Sequence, residues 1–164
     1  MLIRDAIAAD LAGIFQIYDR EVLDGTATFE TQARSPEQQL EWFEAHDRGR
    51  YPVLVAELQG RIAGWGRLYP WSPRPAYART AENAVYVADS CRGRGVGRAV
   101  LQELIDRARR VGIKVIVARI VEGNPASRAL HEAMGYSTIG VMRGVGEKFG
   151  RVLDVRLMDL QLGP

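Results

Sequence analysis

The sequence predicts an α/β protein in which one mixed β-sheet is flanked by helices. Some segments repeat apolar residues every three or four positions, as amphipathic helices do, and several short β-branched runs have the pattern of strands. Their order carries the rest: a strand and two helices, a run of strands, then strand, helix, strand, helix and two closing strands. That is a mixed sheet and not a regular alternation. The 164 residues leave room for one folding unit, residues 1–164, and 47% hydrophobic with 26% charged residues is an ordinary globular composition.

Leu2 to Arg4 reads as a short strand, and from Asp10 to Leu23 the residues Leu11, Ile14, Phe15, Tyr18 and Val22 fall on one helical face. Ser35-Pro36-Glu37-Gln38 supplies an N-cap, a proline at the first helical position and a Gln to close a capping box, so a second helix runs to about His46. Pro52–Leu58 and Arg61–Tyr69 form a hairpin across Gln59-Gly60, with Gly64 and Gly66 weakening the second strand. Pro70, Pro73 and Pro75 forbid regular structure in the loop to Arg79. Glu82–Ala88 is a buried central strand, and Arg98–Val111 is the clearest helix, stopped by Gly112. Lys114–Ile120 is a strand, Asn124-Pro125 opens a short helix that runs to Met134, and strands near Tyr136–Met142 and Leu153–Leu162 finish the chain.

Composition excludes several function classes. A formal charge of +2 is too small to bind nucleic acid as a bulk effect, so any anion site is local. One cysteine, Cys91, and two histidines, His46 and His131, do not make a Cys/His metal site, and no metal is expected. No basic-then-apolar leader and no apolar run near the length of a membrane span are present, so a cytoplasmic protein without membrane partners is expected.

Chemistry concentrates where 17 glycines bunch. Arg92-Gly93-Arg94-Gly95-Val96-Gly97 joins a buried strand to an amphipathic helix, where backbone N–H groups and the helix N-terminus converge on a phosphate or pyrophosphate. Its spacing satisfies neither G-x-x-x-x-G-K-[ST] nor G-x-G-x-x-G, which disfavours a nucleotide triphosphatase and a dinucleotide oxidoreductase. On this segment alone a plain glycine turn with three solvated arginines stays an equal alternative.

Arg92-x-x-Gly95-x-Gly97 after Val85-Tyr86-Val87 resembles the coenzyme A pyrophosphate loop of the GCN5-related N-acetyltransferases (GNAT). Asn124-Pro125-Ala126-Ser127, with Leu130, His131, Gly135 and Tyr136, is similar to that superfamily's Asn-led helix and Gly-aromatic ending. Further likeness in Tyr51–Glu57, Trp71, Tyr77, Thr80, Glu82 and Lys148-Phe149-Gly150 points to the branch that acetylates phosphinothricin, methionine sulfoximine and related α-amino acids. The resemblance implies a GNAT fold, acetyl-CoA as co-substrate and a homodimer. It also implies that the backbone of Val85, Tyr86 and Val87 takes the pantetheine arm, while Arg92, Gly93, Arg94, Gly95, Val96, Gly97 and Arg98 hold the pyrophosphate. Asn124 and Ser127 would contact the same molecule further along, although Asn124 is equally placed to cap the helix.

Acetyl transfer to an ammonium requires a base, a polarised thioester and a proton for the thiolate. The resemblance makes Glu82 the base, and His131 stands where much of the superfamily has a tyrosine that protonates the thiolate. A histidine there can donate or accept a proton, and a purely structural role stays open. For the small-molecule amino-acid acceptor, Arg74 is the carboxylate anchor, with Arg79, Thr80 and Glu82 nearby and Phe29, Trp71 and Tyr77 as pocket walls. Nothing points to an acyl-cysteine at Cys91, so transfer is expected to be direct. Two rivals remain at this level: acetylation of a protein N-terminus or lysine, and a coenzyme A-binding module without turnover.

Overall fold

The computed structural model describes residues 1–163 and is organised by a seven-stranded sheet. Across it stand β1 (Leu2–Asp5), β2 (Val53–Leu58), β3 (Arg61–Pro70), β4 (Thr80–Val87), β5 (Val115–Val121), then β7 (Arg151–Gln161) and, at the edge, β6 (Ser137–Lys148). Among the described residues only β4 and β5 are parallel, and every other neighbouring pair is antiparallel. Helices α1 (Leu11–Leu23) and α2 (Pro36–Glu44) cover one face. The opposite face packs against α3 (Val96–Arg110) and, further along, α4 (Pro125–Ala133).

The sequence periodicities explain the layering. All five apolar residues expected on the inner face of α1 are buried, and Ile17 joins them. The capping box of α2 forms as expected: Ser35 Oγ accepts from Gln38 N–H and Gln38 Oε1 accepts from Ser35 N–H. In β2, Val53 and Val55 face α1 and α2 while Leu54 and Ala56 face α3, so the strand is apolar on both sides. The β2–β3 turn has positive φ at Gln59 (50°) and Gly60 (74°), which suits the right-handed twist of a two-residue hairpin.

Gly64 and Gly66 strengthen the packing that they were expected only to weaken. A Cβ at Gly64 would stand 2.8 Å from Val96 Cγ1, and one at Gly66 would stand 2.7 Å from Val100 Cγ1 and 2.8 Å from the Ala84 carbonyl oxygen. They make a trough in β3 into which α3 settles, and burial of Val100, Leu101 and Leu104 there contributes about 1.5–3 kcal/mol each. Several boundaries differ from the sequence reading, β4 and β7 each starting two residues early, at Thr80 and Arg151. Helix α3 starts two residues early, at Val96; the loop after β3 contains one 3₁₀ turn, Pro75–Tyr77, because Pro75 at its first position needs no N–H partner. Strand β6 continues past Met142 to Lys148, its glycine-rich second half carried through register shifts after Thr138 and Met142. There Gly144 N–H donates to Asp154 Oδ1 at 2.7 Å. Among the described residues, no helix is long and apolar enough to cross a membrane.

Candidate active site

The functional geometry begins with a break in the sheet. Strands β4 and β5 pair over three rungs only, Thr80 with Val115, Ala81 with Ile116 and Glu82 with Val117. Beyond Glu82, β4 stays with β3 as far as Val87 and β5 stays with β7 as far as Val121, so the two separate into a wedge. The edge of Asn83–Val87 that faces the wedge has no partner strand, which leaves backbone donors and acceptors for an extended ligand. A cleft of about 1260 Å³ runs through this opening.

At one end of the cleft lies the glycine loop. Gly93 and Gly95 have φ of 72° and 79°, and nothing lies within 4 Å of where their Cβ atoms would be. No side chain caps α3, whose N-cap is Gly95, so its first amides are available to an anion. Arg92, Gly93, Gly95, Val96, Gly97 and Arg98 line the cleft, whereas Arg94 is exposed outside the lining. Arg92 is tied to Glu21 at 2.8 Å and Asp89 at 2.9 Å. Asn124 and Ser127 also line the cleft, and Asn124 does cap α4, its Oδ1 accepting from Ser127 N–H at 3.0 Å. Capping uses the oxygen and leaves the amide NH₂ for a ligand.

Successive side chains of a strand point to opposite faces, and this separates Glu82 from Asn83. Glu82 lies on the α1/α2 face, is 3% exposed, and accepts from Arg119 Nε at 2.6 Å. The Tyr69 hydroxyl lies against both partners, and burial together with the Glu82 carboxylate pushes its pKa up. Ion pairing with Glu82 raises that of Arg119 against the opposing effect of burial. The Arg119 guanidinium sits 6.0 Å from the Trp71 ring centre. Arg119 thus reaches from β5 back to β4 across the apex of the wedge. The Gly25–Glu30 segment forms the facing wall. It is held by Tyr18 OH and Thr28 Oγ1 at 2.8 Å and by buried Lys148, whose Nζ donates to the carbonyls of Glu21 and Thr28 at 2.8 and 2.9 Å.

Asn83 faces α4 and joins a closed network. Tyr136 OH donates to Asn83 Oδ1 at 3.0 Å, which sets the Asn83 amide to donate to His131 Nε2 at 3.0 Å. His131 Nδ1 must then carry the proton and donate it to the Ser127 carbonyl at 2.8 Å. Burial lowers the His131 pKa from 6.5. Both ring nitrogens have partners in a neutral imidazole, an arrangement that suits the structural role left open for His131 beside proton transfer.

Comparison with known proteins agrees with this architecture. The family model described as acetyltransferase (GNAT) family matches residues 13–136. The chain belongs to the GNAT family. It is 43% identical to an L-methionine sulfoximine/L-methionine sulfone acetyltransferase of Pseudomonas paraeruginosa over 99% of this chain and 95% of that one. It is also 41% identical to the L-amino acid N-acyltransferase MnaT of Escherichia coli, covering 99% and 94% of the two chains. Among solved structures, a GNAT phosphinothricin acetyltransferase from Sinorhizobium meliloti in complex with acetyl-CoA superposes with a TM-score of 0.94 at 36% identity, over 99% of this chain and 88% of that one.

Within this GNAT frame the expected site residues divide. Glu82, Val85, Tyr86, Val87, the glycine loop apart from Arg94, Asn124, Ser127, His131 and Phe29 all line one cleft. Trp71, Arg74, Tyr77, Arg79 and Thr80 lie outside that lining; Arg74, Tyr77 and Arg79 are exposed. Sequence reasoning missed Arg119, Arg67, Tyr69 and Asn83. A charged residue inside the otherwise apolar run Val115–Val121 was the available signal for Arg119, and Arg67 in β3 gave a similar one.

Proposed function

We propose that the protein transfers the acetyl group of acetyl-CoA directly to the α-amino group of an amino acid or amino-acid analogue. The wedge with Glu82 at its apex carries this reading, because it sets a buried carboxylate on one side of a slot whose other end is an uncapped helix N-terminus in a glycine loop. Acetyl-CoA supplies the activated acetyl thioester. The free edge of Val85–Val87 and the amides of Gly93–Arg98 hold its pantetheine and pyrophosphate, with the Asn124 amide NH₂ alongside. Glu82, kept in place by Arg119, takes one proton from the substrate ammonium and frees its lone pair. The amine then forms the new C–N bond to the acetyl carbonyl carbon as the C–S bond breaks. Its second proton leaves with the thiolate as free thiol, so atoms and charges balance without a protein-bound acyl group. Asn83, His131 and Tyr136 brace β4 beside the wedge and exchange no proton with substrate. Phe29 borders the acceptor side, and Trp71 stands behind the Arg119 guanidinium.

The test is thiol release from acetyl-CoA against amino acids, methionine sulfoximine, methionine sulfone and phosphinothricin. Acceptor-dependent thiol with a matching N-acetyl product supports the reading; silence across the whole panel overturns it and favours a binding module. The open β6 edge supports a homodimer as well. It exposes Ile139, Val141 and Val145, with Val152 beside them on β7, and an uncovered apolar edge strand is a pairing surface. Light scattering that returns the mass of one chain, 18.2 kDa, would remove that assembly.

A further inference from the structure

The acceptor side of the cleft contains more positive charge than a neutral-side-chain amino acid can use. Ala84 follows Glu82 on the same face, with Arg67 directly opposite it on β3 and Arg119 across the wedge on β5. The small Ala84 side chain makes a floor between two guanidinium groups. Arg119 is matched by Glu82, but among the described residues Arg67 makes no ion pair, and its buried Nε has no hydrogen-bond partner. Its guanidinium lies 4.4 Å from the Tyr69 ring centre and 5.2 Å from that of Trp42. Aromatic faces hold a guanidinium flat and directed without cancelling its charge. Arg67 also lines the cleft. With no carboxylate against it, the charge of this guanidinium is left for an anion that the ligand brings into the cleft.

Resting on the reading of this site as an amino-acid N-acetyltransferase, we propose that the preferred acceptor is an amino acid with an anionic side chain. Glu82 receives the α-ammonium, Arg119 the α-carboxylate, and Arg67 a side-chain carboxylate or phosphinate. The charges match: one carboxylate and two guanidinium groups meet one ammonium and two anions. Arg67 and Arg119 rise from β3 and β5 with β4 between them, so their backbones stand about 10 Å apart, a gap that two long arginine side chains and the two acidic groups of a four- or five-carbon amino acid close together. An acceptor with a neutral side chain leaves Arg67 unpaired, which is the condition under which a built polar site discriminates most.

The experiment compares kcat/KM by thiol release for glutamate against glutamine and aspartate against asparagine, pairs matched in shape and different in charge. The acids are expected to exceed their amides by about tenfold or more. Arg67→Met should collapse that ratio, and Arg67→Lys should recover part of it. Turnover of the amides as efficiently as the acids overturns this inference alone and leaves the acetyltransferase reading standing. A Glu/Gln ratio unchanged in a folded Arg67→Met protein also overturns it. No turnover of any amino acid overturns both readings. If Arg67→Met fails to fold, the wild-type ratio together with Arg67→Lys decides.

Discussion

Glu82 and Asn83 are consecutive residues of one strand, nearly equally buried, and both bonded to a basic side chain. Their surroundings differ in one respect. The Glu82–Arg119 pair stands in the wall of an open cleft, with carboxylate and guanidinium capacity left over for a ligand. The Tyr136–Asn83–His131–Ser127 chain uses each ring nitrogen and both ends of the Asn83 amide internally. A buried polar group with spare valence is poised for chemistry, and one fully satisfied is poised for rigidity. The split follows from the two-residue period of a strand, which sends Glu82 to the acceptor face and Asn83 to the α4 side of the same cleft.

The most direct way to break this contrast is Glu82→Gln. The amide can still accept from Arg119 Nε, so the cleft keeps its shape while losing a base. The expected loss in kcat/KM is about 10²- to 10⁴-fold, with coenzyme A affinity by calorimetry held near wild type. A rate within threefold of wild type would place the base elsewhere. On the other side of the strand, His131→Leu should act chiefly through stability. It strands the Asn83 amide and the Ser127 carbonyl, an expected cost of about 1–3 kcal/mol in denaturant unfolding. A large fall in kcat with unchanged stability would return His131 to the reaction.

The same histidine fixes the sign of a pH effect. Its pKa in the folded protein lies below 6.5, because burial disfavours the cation. As pH falls below about 6.5 the unfolded chain binds the proton first, so folding stability declines through the folded pKa and is unaffected above the window. His46, half-buried and donating Nε2–H to the Leu68 carbonyl, shifts in the same direction and contributes its own share. Thermal melts from pH 8 to 5 should show a falling midpoint whose slope is reduced, not abolished, in His131→Leu.

Much of this was legible in the sequence where a local pattern sufficed. The helix faces, the Ser35 capping box and the glycine loop each depend on residues within one or two turns of one another. Glu82 was found because the resemblance marks its place at the head of β4. Its partner Arg119 is 37 residues away, and its role exists only because β4 and β5 part company after Val117. Arg74, Tyr77 and Arg79 were read from the binding composition of their loop, with its arginines, aromatics and prolines, and the fold leaves those side chains exposed outside the cleft lining. Gly64 and Gly66 were read as weak points because their helix-packing role needs α3, some 30 residues further along, to be seen.

The smallest expected effect tests whether the acceptor wall is held from a distance. Lys148 ends β6 and is 3% exposed, and its ammonium joins the end of α1 to the segment after it through the Glu21 and Thr28 carbonyls. Burial lowers its pKa, but the two carbonyls and the nearby Phe149 ring, 5.1 Å from Nζ, give the cation partners. Lys148→Met keeps the stem and removes both hydrogen bonds, so the Gly25–Glu30 wall loosens while the glycine loop is untouched. Two bonds worth about 0.5–1.5 kcal/mol each translate into a rise in acceptor KM of roughly threefold to tenfold when part of that energy orders the wall. The Kd for coenzyme A should not move. Equal weakening of acceptor and coenzyme A would mean that the two sides of the wedge are coupled through this loop, and the division drawn at Glu82 and Asn83 would then not extend to their walls.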